Sequence, residues 1–122
     1  MKNLLTATAV IEAGAGLALL VLPATLLFGP SLDSPAGWAV VHVAGAALLA
    51  IGVACWLARG DALSRAARGV VVGLVIYNAG TVAALTYAGA AMGLSSSGLW
   101  PAALIHAVML AWCVASLLRS RA

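Results

Sequence analysis

The sequence predicts an all-α membrane protein, a polytopic four-helix bundle. Three observations predict it. Hydrophobic residues make up 65% of the chain and charged residues only 7%, where a soluble domain carries roughly 25%. Four apolar stretches fill most of the 122 residues, each near the roughly 20 that cross a hydrocarbon core of about 30 Å. The six Lys and Arg residues fall in three places: Lys2, then Arg59, Arg65 and Arg68, then Arg119 and Arg121. Basic residues collect on the cytoplasmic side of a membrane protein. The chain therefore reads as a single transmembrane domain over residues 1–122, with both termini cytoplasmic (N-in/C-in).

The first span is expected over residues 4–28. Lys2 followed by an apolar run resembles a secretory signal peptide. The length of the run, and Glu12 within it, favour an uncleaved first helix. The connection Gly29-Pro30-Ser31-Leu32-Asp33-Ser34-Pro35 combines turn residues with a helix-start signal. The second span is expected over residues 36–58, and the third over 69–92. Between them lies the cytoplasmic segment Arg59-Gly60-Asp61-Ala62-Leu63-Ser64-Arg65. The uncharged Gly93-Leu94-Ser95-Ser96-Ser97-Gly98 precedes the fourth span, 99–118. Trp38 and Trp100 fall at the outer boundary and Trp56 near the inner one, where indoles favour the interface.

Helices in lipid gain little from hydrophobicity and need close packing, so small residues mark contact faces. Ala46-Ala50-Ala54-Ala58, Ala103-Ala107-Ala111-Ala115, and Gly69-Gly73 continuing to Gly80, Ala84 and Ala88 are the candidate ridges. Gly14 and Gly16 serve the first span. A parallel two-helix repeat is also visible. Glu12-Ala13-Gly14-x-x-x-Ala18-Leu19 matches Asn78-Ala79-Gly80-x-x-x-Ala84-Leu85, and His42 and His106 follow on the even spans.

An ionisable group at membrane depth is costly, so its presence is a functional hypothesis by default. Glu12, His42 and His106 are such groups, with Tyr77, Asn78 and Thr81 between them. At a rise of about 1.5 Å per residue, Glu12 and Asn78 lie about 12–13 Å from the cytoplasmic boundary, His106 about 18 Å and His42 about 24 Å. Glu12, Asn78 and His106 are expected to converge, with Tyr77 and Thr81 nearby and His42 above. The functional reading of Glu12 is a proton-carrying or ligand-binding carboxylate. The structural one is a hydrogen-bonded Glu that ties helices together. His106 and His42 divide in the same way. The offset of about 6 Å between the histidines strains paired ligation of a haem. No metal site is expected. Cys55 and Cys113 lie near the reducing side, fit no metal spacing, and read as small packing residues.

No phosphate loop, nucleophile elbow or zinc-protease helix appears. The basic residues form no stripe with interleaved aromatics, which excludes a nucleic-acid surface. Gly14-x-Gly16-Leu17-Ala18-Leu19-Leu20-Val21-x-Pro23, then Gly45-Ala46-Ala47-Leu48-Leu49-Ala50-x-Gly52, then Arg59, resembles small bacterial four-helix membrane proteins of the DoxX-like kind. The resemblance covers residues 10–60. It implies an inner-membrane location and, for some members, a place in oxidoreductase or quinone-linked systems. It carries over no catalytic residue.

Three roles stay open. The leading one is a non-enzymatic protein, either an accessory subunit of a membrane assembly or a binder of quinone or lipid. The second is a small oligomeric proton-coupled transporter using Glu12. The third is a membrane enzyme with Glu12 and His106 as acid and base. The expected partners are the bilayer and a homo-oligomer or another membrane subunit. No cofactor is predicted.

Overall fold

The computed structural model describes residues 1–23, 26 and 34–120. Four helices carry the described chain: α1 (Lys2–Val21), α2 (Pro35–Ala58), α3 (Arg65–Ala90) and α4 (Leu99–Arg119), with a single 3-10 turn at Arg59–Asp61. All four are long and apolar enough to cross a membrane, as a multi-pass membrane protein requires.

The ends follow local chemistry. α1 stops at Val21, seven residues short of the expected boundary. Pro23 disfavours helical backbone at the residue before it, and Leu22 is extended at φ −87°, ψ 145°. Residues 24, 25, 27 and 28 of that expected span and the connection through Asp33 lie outside the described residues, as do Arg121 and Ala122.

α2 starts as expected. Ser34 Oγ accepts from the Gly37 N–H at 3.0 Å, and Pro35 occupies the first turn, where its missing N–H costs nothing. α3 starts four residues earlier than expected, because Ser64 Oγ accepts from the Ala67 N–H at 3.0 Å. Arg65 and Arg68 are therefore helical. Past the end of α3, Gly93 takes φ +70°, and the Leu94 N–H turns back to the Ala88 carbonyl at 2.9 Å. α4 runs from Leu99 to Arg119, one residue beyond the expected end.

The helices pack as two hairpins, α1 on α2 and α3 on α4, with far slighter contact between the pairs. In the first hairpin the backbones nearly touch. A Cβ added at Gly16 would lie 2.6 Å from Leu49 N and 2.7 Å from Gly45 O; one added at Gly52 would lie 2.8 Å from Ala13 N. The seam is therefore glycine on backbone. This corrects the expected alanine ridge of α2, whose Ala46, Ala50 and Ala54 are exposed. In α4 only Ala103 of the expected ridge is buried, and Ala107 and Ala111 are exposed. Gly69, Gly73 and Gly80 of α3 also face outward, with nothing within 4 Å of an added Cβ.

The two hairpins meet in one buried cluster: Leu4, Leu5 and Ala9 of α1, Cys55 of α2, Ala67, Val71 and Leu74 of α3, and Met109 and Cys113 of α4. The cluster lies toward the end where the helices carry Lys2, Arg59, Arg65, Arg68 and Arg119. Both cysteines are free and fully buried in it. At that end Arg59 covers Trp56, its guanidinium carbon 3.2 Å from the ring centroid.

Candidate functional site

A polar layer lies on the opposite side of this cluster from the basic end, built from three helices. Glu12 is buried on α1, one turn before the Gly16 seam. Its Oε2 accepts from the Tyr77 hydroxyl of α3 at 3.1 Å. Asn78, the next residue of α3, is 1% exposed. Its amide nitrogen donates to the Leu74 carbonyl at 2.7 Å, which turns its Oδ1 toward α4. There His106 Nδ1 lies 2.8 Å from Asn78 Oδ1. An amide oxygen only accepts, so His106 Nδ1 carries the proton and Nε2 is left as the acceptor of the neutral ring. The rings of Tyr77 and His106 meet edge to face, with centroids 5.3 Å apart and planes at 86°. Thr81 Oγ1 donates to its own helix, at the Tyr77 carbonyl, 2.9 Å away.

Glu12, Tyr77, Asn78 and His106 thus come together, with Thr81 bonded beside them. The offset expected between Asn78 and His106 is absent, and helix boundaries explain it. Because α3 begins at Arg65, Asn78 lies thirteen residues into its helix; His106 lies thirteen residues before Arg119. Both are about 20 Å from the basic end of their helices by rise. Glu12 sits lower and joins through the long Tyr77 side chain.

His42 stands apart from the layer. It is half-exposed on α2, its Nδ1 donates to the Trp38 carbonyl at 2.9 Å, and its ring stacks on Trp38 at 3.9 Å. Ala46, Ala50 and Ala54, which follow His42 at four-residue spacing, face outward, and the imidazole turns away from the bundle with them. Glu12 and Asn78 are both buried, each on the first helix of its hairpin, but His106 reaches Asn78 while His42 bonds within its own helix.

Two further features take their meaning from the structure. Thr8, one turn from Glu12 toward the basic end, is 1% exposed, and its Oγ1 has no hydrogen-bond partner. Its spacing of four from Glu12 was the available signal. The second is an apolar groove of about 230 Å³ between α2 and α3, lined by Ile51, Ala54, Val70, Gly73, Leu74 and Tyr77. Gly73 and Ala54 open it because neither fills the space between the helices. Tyr77 therefore lines an outward-facing groove and also holds the buried carboxyl. Among the described residues, no three His, Cys, Asp or Glu side chains gather as a metal site.

Comparison of the chain with family models, curated proteins and solved structures finds no match.

Proposed function

We propose that this protein is a non-enzymatic, multi-pass inner-membrane protein that binds a small hydrophobic ligand with a hydrogen-bonding end, a quinone being the type. The observation that carries the proposal is the double position of Tyr77, in the wall of the α2–α3 groove and on Glu12. The groove is smaller than the roughly 300–1,000 Å³ of an ordinary small-molecule pocket. It suits a ring or head whose tail stays in lipid. A ligand entering there meets the Tyr77 side chain, whose hydroxyl holds the Glu12 carboxyl behind it. The placement of every Lys and Arg supports cytoplasmic termini. The resemblance to DoxX-like proteins supports a bacterial inner membrane and a quinone-linked setting. A homo-oligomer or a partner subunit would pack on the small-residue faces left outside the hairpins, Ala46-Ala50-Ala54 and Ala107-Ala111.

The test is titration of the purified protein with a short-chain quinone, followed by tryptophan fluorescence, with an alkane of matching tail length as control. Saturable binding by the quinone alone is expected. Tyr77→Phe should weaken it by up to about tenfold, the worth of one hydrogen bond. Equal signals from quinone and alkane, or no effect of Tyr77→Phe, would refute the reading.

Proton-coupled transport by Glu12 is the second reading. It is favoured by the line Glu12–Tyr77–His106 across three helices. Proteoliposome flux separates the two, since only a transporter loses flux in Glu12→Gln.

A further inference from the structure

A further cavity lies away from the polar layer. It lies at the basic end, where the first turn of α1, the last turns of α4 and the α2–α3 connection leave about 590 Å³ between them. Lys2, Asn3, Leu63, Trp112, Ser116 and Arg119 line it. Two opposed chemistries share this space. Lys2 and Arg119 supply positive charge, and neither Glu12 nor Asp61 is present in the wall to answer it. Asn3 and the nine-tenths-buried Ser116 add uncharged polar groups. α1 begins without a side-chain cap or an acidic residue in its first turn, so its leading N–H groups also favour an anion here. Beside these groups stand Trp112 and Leu63. Leu63, at 86%, is the most exposed large apolar side chain among the described residues.

We infer that this cavity binds the phosphate headgroup of an anionic membrane lipid. Lys2, Arg119 and the start of α1 hold the phosphate, and Leu63 and Trp112 lie along the glycerol and upper acyl chains. A free phosphate ion would engage the cations and leave the apolar wall bare. A lipid satisfies both halves, and the cavity lies at the helix ends, where headgroups are found. Basic pockets between membrane helices hold lipid headgroups in this way. The site is separate from the Tyr77 groove and does not depend on the role proposed there.

The experiment uses the purified full chain in nanodiscs of phosphatidylcholine doped with phosphatidylglycerol, with native mass spectrometry of the lipids retained on release. Retention of phosphatidylglycerol over phosphatidylcholine is expected. Lys2→Gln/Arg119→Gln should weaken it about thirtyfold, equivalent to about 1 kcal/mol for each charge. Arg65→Gln/Arg68→Gln removes as much charge from the same end but from outside the cavity, and should leave retention nearly unchanged. Inorganic phosphate should not displace the lipid. A photoreactive phosphatidylglycerol should crosslink the wild-type chain at the peptides holding Lys2 and Trp112, a readout that needs no variant to fold. Equal retention of both lipids, equal loss in the two double variants, displacement by inorganic phosphate, or crosslinks away from those peptides would each overturn the inference.

Discussion

Gly16→Ala should open the first hairpin, and the size of the effect can be worked from the structure. A methyl group at Gly16 would lie 2.6 Å from Leu49 N, 2.7 Å from Gly45 O and 3.1 Å from Leu49 Cα. All three atoms are backbone, so no side chain can rotate away. Restoring an ordinary contact of 3.4 Å needs α1 and α2 to part by about 0.8 Å at this level. Overpacking of this kind costs roughly 1–3 kcal/mol. Alanine in a helix recovers roughly 0.5–1 kcal/mol relative to glycine. Gly80→Ala supplies the control, because an added Cβ there meets nothing within 4 Å and only the propensity gain remains. The difference between the two variants isolates the contact, about 1–3 kcal/mol in favour of Gly80→Ala. Unfolding titrations from dodecylmaltoside into dodecyl sulfate, followed by helical circular dichroism, would measure it. Equal stability of the two variants would refute the glycine seam.

Four further outcomes follow from single contacts. Asn78→Ala leaves the His106 Nδ1–H without its acceptor, which should cost about 1–3 kcal/mol in the same titration. A cycle with His106→Ala should return a coupling nearer 0.6 and not above about 1.7 kcal/mol, the range of hydrogen bonds between membrane helices; zero coupling would mean that the bond does not form. Thr8→Val keeps the shape and removes a buried hydroxyl with no partner, so it should be neutral or raise stability by about 1 kcal/mol; a clear loss would show that the hydroxyl is bonded. Ser64→Ala should cost about 1 kcal/mol, with faster amide exchange confined to the first turn of α3, and unchanged exchange there would contradict the cap.

The number, type and order of the helices were legible because lipid imposes them. Apolar length and the spacing of charges are one-dimensional properties, and a sequence carries them directly. The rotation of each helix about its axis was less legible. Ala46, Ala50 and Ala54 form as regular a ridge as any in the chain, yet they face outward, and Gly45 and Gly52 take the seam. Small residues permit close approach on any face they occupy, and α2 has two such faces. Only fit against α1 chooses between them. That choice also turned His42 away from the polar layer. The meeting of Asn78 and His106 was misjudged in height alone, since hydropathy begins α3 at Gly69 whereas the Ser64 cap begins it at Arg65. The end of α1 was legible in Pro23, but an apolar run gives no sign of stopping there.

The polar layer does different work within a hairpin and between hairpins. Asn78 and His106 belong to α3 and α4, which already pack on each other, so their bond fixes a pair that other contacts hold. Glu12 and Tyr77 belong to different hairpins. Among the described residues, theirs is the side-chain hydrogen bond that joins the two hairpins. Toward the basic end, Leu4, Leu5, Val71 and Cys113 pack the hairpins together through apolar contact. On the far side of the layer, close contacts lie within each hairpin: Gly16 against Gly45 and Leu49, and Gly89 against Leu99 and Trp100. The Glu12–Tyr77 bond thus joins the hairpins on the side of that cluster away from the basic end. A small rotation of one hairpin on the other, pivoting on the packed basic end, would change this distance more than any contact nearer the pivot. An occupant of the α2–α3 groove would press on Tyr77 at that point. The position of the groove, more than its size, is what could let a small ligand bear on how the two halves sit together.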